Sequence, residues 1–133
     1  MTRIFVDTSA LLALLDADDP RQEWVRAAFA DHAEDELVTH GYVVAESLAV
    51  VRRRLGVDGV IALLDDVLPA LEVLPIDPAL HAMAQDRYRA SLPTGTSFVD
   101  NVSLAFMEQT GINMAFVLDS DFEGHGLAVL PGR

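Results

Sequence analysis

Residues 4–19 have the sequence IFVDTSALLALLDADD, in which a strand is followed at once by a helix. The first three residues form an uninterrupted apolar run of strand-forming type, which is typical of a strand covered on both faces. The triplet DTS at 7–9 has the chemistry of a helix cap, and the apolar run 10–15 reads as the opening turns of that helix. A buried strand followed by a helix is the repeating unit of α/β proteins.

The same alternation continues to the end of the 133-residue chain. Further strands are predicted at 37–39, 71–74, 114–118 and 127–130, the last at an edge of the sheet. Helices are predicted over about 20–29, 41–55, 57–68, 78–90 and 97–110. This order predicts a single domain over residues 1–133, an α/β sandwich with a mainly parallel central sheet.

The composition excludes several classes of enzyme. The chain has no cysteine, which rules out thiol catalysis, zinc ribbons and iron–sulfur ligation by thiolates. All nine basic residues are arginine, which rules out a Walker-A NTPase and Schiff-base chemistry. The net charge of −12 is opposite in sign to that of a nonspecific nucleic-acid binder, and it suits cations and basic partners. We see no secretion signal and no membrane span, so the cytoplasm is the expected compartment.

Four acidic residues lie in apolar surroundings, where a carboxylate is costly unless its charge is compensated. Asp7 and Asp119 each follow a predicted buried strand, while Glu46 and Asp100 lie within apolar helical segments. The C-terminal ends of neighbouring parallel strands converge on a crevice, so we expect the four to meet there. Two carboxylates about 6 Å apart repel by about 2.8 kcal/mol at an effective dielectric of about 20, and four together cost on the order of 10 kcal/mol. Bound protons or a hard cation would relieve this cost, and all-oxygen ligation favours Mg²⁺ or Mn²⁺ over zinc.

Each acid also has a purely structural interpretation. Asp7 and Asp100 stand where helix N-caps occur, and Asp119 stands where a turn begins. Glu46 has no cap to form in mid-helix, so its structural alternative is an ion pair with Arg53 or another arginine. A shared site accounts for all four acids together, whereas the structural interpretations need four separate causes.

Four segments in order resemble the PIN-domain ribonucleases, in particular the VapC-like toxins of bacterial type II toxin–antitoxin pairs. They are IFVDTSALLALLDADD at 4–19, AES at 45–47, SFVDNVSLAFMEQTGI at 97–112 and AFVLDSDFEGHGL at 115–127. The resemblance implies a PIN-like α/β/α sandwich with about five strands. It also implies a Mg²⁺- or Mn²⁺-dependent endoribonuclease that hydrolyses RNA phosphodiester bonds, inhibited by a cognate antitoxin protein, and commonly a homodimer.

The resemblance places the family's catalytic and metal-binding acids on Asp7, Glu46, Asp100 and Asp119. Asp7 and Asp100 are the expected direct ligands, and Glu46 is expected to orient water or to complete a second metal position. Asp119 is expected to bind the metal or to assist from outside its ligand shell.

Other side chains are expected to support this quartet. Thr8 or Ser9 would hydrogen-bond an acid or a bound water, and Asp121 would be an additional outer ligand. The family often has Thr two residues before its last acid, and this chain has Val117 there, so one supporting hydroxyl is missing.

An RNA-binding surface is expected at the cluster Arg52, Arg53 and Arg54, together with Arg87 and Arg89. The structural alternative for this cluster is ordinary positive charge near helix C-termini.

Two other functions remain open at this stage. A non-catalytic PIN-like module would bind a basic antitoxin peptide in the acidic cleft and would cleave nothing. A metal-dependent phosphatase of another α/β fold would need an aspartate two positions after Asp7, where the chain has Ser9, and a lysine, which the chain lacks.

The histidines and aromatic residues indicate no further site. His32, His40, His81 and His125 share no metal-binding spacing, and we expect them at the surface or in loops. Trp24 and the phenylalanines fit core positions.

Overall fold

Five parallel strands form one central sheet in the computed structural model, which describes residues 2–122 and 124–131. The strands are β1 (Arg3–Val6), β2 (Glu36–His40), β3 (Glu72–Leu74), β4 (Met114–Phe116) and β5 (Ala128–Leu130). Their order across the sheet is β3-β2-β1-β4-β5, and every neighbouring pair is parallel. The predicted parallel sheet is therefore confirmed, with β1 at its centre and β5 at an edge.

Helices connect the strands. They are α1 (Thr8–Leu15), α2 (Gln22–Asp31), α3 (Gly41–Ala62), α4 (Pro78–Ser91) and α5 (Phe98–Thr110). α3 is broken at Gly56, whose φ of 73° lies in the left-handed region that glycine tolerates. The break falls between the two helices predicted from the sequence. No helix within the described ranges has both the length and the hydropathy that a bilayer crossing requires.

The central strands are covered on both faces, which explains their continuous apolar sequences. Phe5 of β1 is fully buried, and its ring lies 5.9 Å from that of Phe106 of α5. Phe116 of β4 stacks on Phe29 of α2 with ring centroids 4.3 Å apart. Because Phe116 pairs with Val6, and successive strand residues point to opposite faces, Phe116 lies on the face opposite Phe5. The α/β/α sandwich is confirmed.

Trp24 does not lie in the core, contrary to expectation. Its neighbour Val25 is fully buried, while Trp24 on α2 is 44% exposed. Adjacent residues on a helix point about 100° apart, so only one of the two can face the sheet.

His40 differs from expectation in the other direction, because it is fully buried. It ends β2 and caps α3, where its Nδ1 accepts hydrogen bonds from the backbone N–H groups of Tyr42 and Val43. Its Nε2 lies 2.9 Å from the Ser103 hydroxyl of α5. Both ring nitrogens are thus satisfied with the imidazole neutral, and the ring joins β2, α3 and α5.

His40 predicts a loss of stability in acid. Burial lowers the pKa of His40 from 6.5 to about 4. Between these values the unfolded chain binds more protons than the folded one, so stability is lost as pH falls from about 6.5 to about 4. We expect His40→Ala to cost about 2–4 kcal/mol at pH 7.5, with a deficit smaller by about 3 kcal/mol near pH 4. Urea unfolding at both pH values measures this, with His125→Ala, in an exposed turn, as the control. A deficit that does not change with pH would contradict the buried neutral imidazole.

Candidate metal centre

The strand order reverses between β1 and β4, and in such sheets a crevice lies at the C-terminal ends of these two strands. In open α/β sheets this is the position where ligands bind. Asp7 follows β1, and its N–H donates a 3.0 Å hydrogen bond to the carbonyl of Phe116 in β4. Asp119 follows β4 after two further residues. The two acids come together because their strands are neighbours in the sheet.

Three carboxylates converge in this crevice. One oxygen from each of Asp7, Asp100 and Asp119 lies within 4.8 Å of the other two. Asp7 and Asp100 are buried and Asp119 is exposed, so the cluster has a buried floor and an open rim. Two oxygens on opposite sides of one hard cation are about 4–5 Å apart, so the spacing fits shared coordination.

The two oxygens of the Asp7 carboxylate have different surroundings. Its Oδ2 caps α1 by accepting hydrogen bonds from the backbone N–H of Ser9 at 3.0 Å and from the Ser9 hydroxyl at 2.7 Å. Its Oδ1 is buried and has no hydrogen-bond partner among the described residues. Buried carboxylate oxygens are almost always paired, so the Oδ1 atom of Asp7 marks a place for a cation or a proton.

The pKa of Asp7 reflects this setting. Burial raises it from 3.8 to about 6, against the two Ser9 hydrogen bonds, which lower it. The negative charges of Asp119 and Glu46 raise it further. Without a cation, the charged form of Asp7 therefore destabilises the fold at neutral pH.

Ser9 and Thr8 connect the cluster to neighbouring segments. The Ser9 hydroxyl donates to Asp7 and accepts a 2.9 Å hydrogen bond from the N–H of Leu118, which holds the ends of β1 and β4 together. The Thr8 hydroxyl is buried and accepts a 3.3 Å hydrogen bond from Ser47 of α3. Ser47 was missed in the sequence, although it follows Glu46 in the AES motif.

Asp100 is not a helix cap, so its structural interpretation is wrong. Ser97 caps α5, and its hydroxyl accepts a 3.1 Å hydrogen bond from the N–H of Asp100. Asp100 is therefore the third residue of the helix, in the first turn, where the helix dipole favours a negative charge. Its buried carboxylate is one of the three that converge.

Glu46 lies beside the cluster and not within it. It is half-buried in α3, and its charge acts on Asp7. Glu46 is not one of the three acids whose oxygens lie within 4.8 Å of one another. Within the described ranges it forms no ion pair with Arg53, so the structural alternative for Glu46 has no support.

The predicted arginine surface is separate from the cluster. Arg52, Arg53 and Arg54 are exposed in the turn of α3 that precedes the break at Gly56. Arg53 is seven residues after Glu46, so it lies on the same side of α3 about 10 Å further along the axis. Their place before the break also agrees with the alternative of charge near a helix C-terminus.

Arg87 and Asp121 are two further residues that the sequence predicted to contribute to the site. Arg87 forms an ion pair with Glu108 at 2.8 Å. Asp121 belongs by its backbone to a short 3₁₀ turn, Ser120–Phe122, and its side chain lies outside the described part of the structure.

An all-parallel α/β/α sandwich with carboxylates at its switch point is the architecture expected of a PIN-type protein. The PIN domain family model matches residues 4–126, and the chain belongs to this family. The interpretation as a phosphatase of another fold is therefore wrong.

Three known proteins show where the chain stands within the family. Ribonuclease VapC26 of Mycobacterium tuberculosis is 42% identical over 64 residues, which are 48% of this chain and 47% of VapC26. The match thus spans about half the length of this curated relative. The structure of M. tuberculosis VapC20, a toxin that cleaves the sarcin–ricin loop, superposes with a TM-score of 0.85 and 28% identity, covering 94% of this chain and 96% of VapC20. FitAcB from Neisseria gonorrhoeae shares the fold, with a TM-score of 0.69, 21% identity and 95% of each chain covered. The predicted VapC-like resemblance is confirmed.

The buried Asp7 predicts an unusual effect of pH in metal-free protein. Because its pKa is raised, the folded state binds more protons than the unfolded state between about pH 3.8 and 6, and stability is lost as pH rises through this window. Asp7→Asn removes the charge, so we expect it to raise the free energy of unfolding in EDTA by about 1–3 kcal/mol at pH 8 and to have little effect near pH 3.5. Urea titrations at both pH values test this.

The matched control is Asp66→Asn, an exposed acid in the helical turn before β3, at the other end of the sheet. It should change stability at neither pH. An Asp7→Asn protein less stable than the unmutated one at pH 8 in EDTA would show that charged Asp7 is not costly.

Proposed function

We propose that the chain is a single nuclease domain over residues 1–133, a Mg²⁺- or Mn²⁺-dependent endoribonuclease and the toxin of a toxin–antitoxin pair. It would hydrolyse RNA phosphodiester bonds through a four-carboxylate site formed by Asp7, Glu46, Asp100 and Asp119. The observation that supports this most is the buried Oδ1 of Asp7, which has no hydrogen-bond partner in the described part of the chain and lies beside two further carboxylates. Membership of the PIN family and the likeness to ribonuclease VapC26 support the same conclusion.

The donor set fits a hard divalent cation. All of the converging atoms are carboxylate oxygens, which suit Mg²⁺ and Mn²⁺. When bound, such a cation would neutralise the phosphate, activate water and stabilise the leaving oxygen. The raised pKa of Asp7 is consistent with a site whose charge is balanced only when the cation is present.

The residues around the site would then divide the work by position. Asp7 and Asp100 are buried and would bind the cation on the side that faces the protein interior. Asp119 is exposed and would lie on the side that faces the substrate. Glu46 is half-buried and lies next to the cluster, where a carboxylate can orient an attacking water and accept its proton. Ser9 fixes the Oδ2 of Asp7, which leaves Oδ1 for the cation.

A bound RNA strand would run from the carboxylate cluster along α3 towards the exposed arginines. Arg53 follows Glu46 by two helical turns on the same side of α3, within reach of a phosphate beyond the cleaved one. One guanidinium group can bind two phosphate oxygens at once. Arg52, Arg53 and Arg54 would therefore offset the repulsion between RNA and a chain of charge −12.

The same acidity suggests a protein partner. A basic, arginine-bearing antitoxin segment would enter the acidic cleft and inhibit by occupying it or by displacing the cation. VapC20 is itself described as a toxin, which supports this role. A homodimer and a place in the cytoplasm remain predictions from the sequence.

The proposal predicts cleavage that depends on both metal and acid. We expect the purified protein to cut bacterial ribosomal or transfer RNA with Mg²⁺ or Mn²⁺ and not in EDTA. Asp7→Asn or Asp100→Asn should lower the rate by about 100-fold or more, because each removes a ligand of a cation worth several kcal/mol to the transition state. Gel assays measure the rate, and sequencing of the RNA ends identifies the cut bonds.

Asp66→Asn again serves as the control, since it removes a carboxylate far from the crevice. Induced expression in a bacterium should halt growth for the unmutated chain and for this control, and not for Asp7→Asn. Binding of a basic peptide without metal-dependent cleavage would contradict the proposal and favour the non-catalytic module.

Glu46 is expected to affect catalysis more than metal binding. Glu46→Gln should lower kcat by about 100-fold, the usual size of a general-base contribution, because it removes a proton acceptor beside the cluster. Its effect on Mg²⁺ affinity should be much smaller than that of Asp100→Asn, as measured by calorimetry. Equal losses of Mg²⁺ affinity in the two variants would instead make Glu46 a direct ligand.

A further inference from the structure

A groove of about 470 Å³ opens directly beside the carboxylate cluster. Asp119 and Leu118 line it after β4, and Arg21 and Trp24 line it at the start of α2. Apolar residues, among them Leu127, Val129 and Pro131, also line it. Its volume is in the range of about 300–1,000 Å³ that is typical of pockets for small organic ligands. The groove therefore has room for a nucleoside and shares Asp119 with the metal centre.

Trp24 gives the groove an aromatic surface. Trp24 is 44% exposed, although it is a large apolar residue on a helix and its neighbour Val25 is fully buried. Tryptophan offers a flat π-face, and nucleobases stack on such faces whatever their identity. The chain has one tryptophan, and it stands in this groove.

Arg21 brings a guanidinium group to the groove, and Asp19 balances its charge. Its guanidinium binds Asp19 with two hydrogen bonds, from Nε at 3.1 Å and from one terminal nitrogen at 3.0 Å. Those two bonds use two of the five N–H donors of the group. Its side chain is 49% exposed, so the remaining donors are open to a ligand that enters the groove.

We propose that this groove is a base-binding subsite that receives the nucleobase next to the cleaved phosphate. This inference rests on the proposed ribonuclease function, because a phosphate held at the cluster positions its own nucleotide beside Asp119. The base would lie against Trp24, and Arg21 would contact the base edge or the adjoining phosphate. Such a subsite needs an unstacked nucleotide, so it selects single-stranded or looped RNA.

The first test measures binding without cleavage, through the fluorescence of Trp24. The probes are the 5′-monophosphates of adenosine, guanosine, cytidine and uridine, with ribose 5-phosphate as the control that lacks a base. With Mg²⁺ present, we expect at least one nucleotide to change Trp24 emission, and ribose 5-phosphate to leave it unchanged. The change should weaken in EDTA and in the Asp100→Asn variant, since both release the phosphate end.

The second test measures cleavage of ribosomal RNA. Trp24→Ala should lower kcat/KM by about 5- to 150-fold, the range for loss of one stacked base, and Trp24→Phe should retain most of the activity. Met83→Ala is the matched control, because Met83 is an exposed apolar residue on α4, outside the groove. Circular dichroism and urea unfolding of Trp24→Ala verify that the variant is folded.

The outcomes separate the subsite from the proposed function. If Trp24→Ala cuts the same bonds at the unmutated rate while Asp7→Asn is inactive, the ribonuclease function stands and the subsite is refuted. Normal cleavage by Trp24→Ala with lost inhibition by an antitoxin would assign the groove to the protein partner, which also refutes it. If the unmutated protein cleaves no RNA, the proposed function fails. The nucleotide titration followed by Trp24 fluorescence then tests by itself whether the groove binds a nucleobase.

Discussion

The pairing of β1 with β4 and the buried carboxylate of Asp7 are the constraint on which the rest of this structure depends. The N–H of Asp7 continues the strand pairing, and its Oδ2 caps α1. Its Oδ1 is left buried and unpartnered among the described residues. A neutral residue at position 7 would make the same backbone more stable, so the charge of Asp7 is retained at a cost in folding free energy. Functional sites are where such costs are characteristically found.

Two buried titratable groups act in opposite directions on the response to pH. The contribution of His40 to the free energy of unfolding decreases as pH falls towards about 4. The contribution of Asp7 decreases as pH rises towards about 6. Their effects on the metal-free protein therefore partly cancel over much of the same range. His40 is satisfied at both ring nitrogens by the fold itself, while Asp7 is only half satisfied. The two buried polar groups therefore differ in that the fold leaves hydrogen-bonding capacity unused only at Asp7, among the residues that the structure describes.

The crevice has an acidic floor with cationic and aromatic groups around it. Asp7 and Asp100 form the floor, Arg21 and Trp24 line the groove on the α2 side, and Arg53 lies along α3. In the proposed function, these arginines would offset part of the repulsion between RNA and a chain of net charge −12. The same arrangement admits a basic peptide, which would be attracted by the floor directly.

The sequence by itself determined the elements and the chemistry at their ends, because hydrophobic periodicity and capping are local properties of the chain. It therefore indicated the strand before Asp7 and the break in α3. It left open whether Asp100 was a helix cap, and the structure gives that cap to Ser97. Only tertiary structure brings the Asp100 carboxylate beside those of Asp7 and Asp119. The burial of His40, the exposure of Trp24 and the groove beside Asp119 were also decided there. Each depends on which strands are neighbours and on which side of a helix meets the sheet, and these contacts join residues that are far apart in the chain.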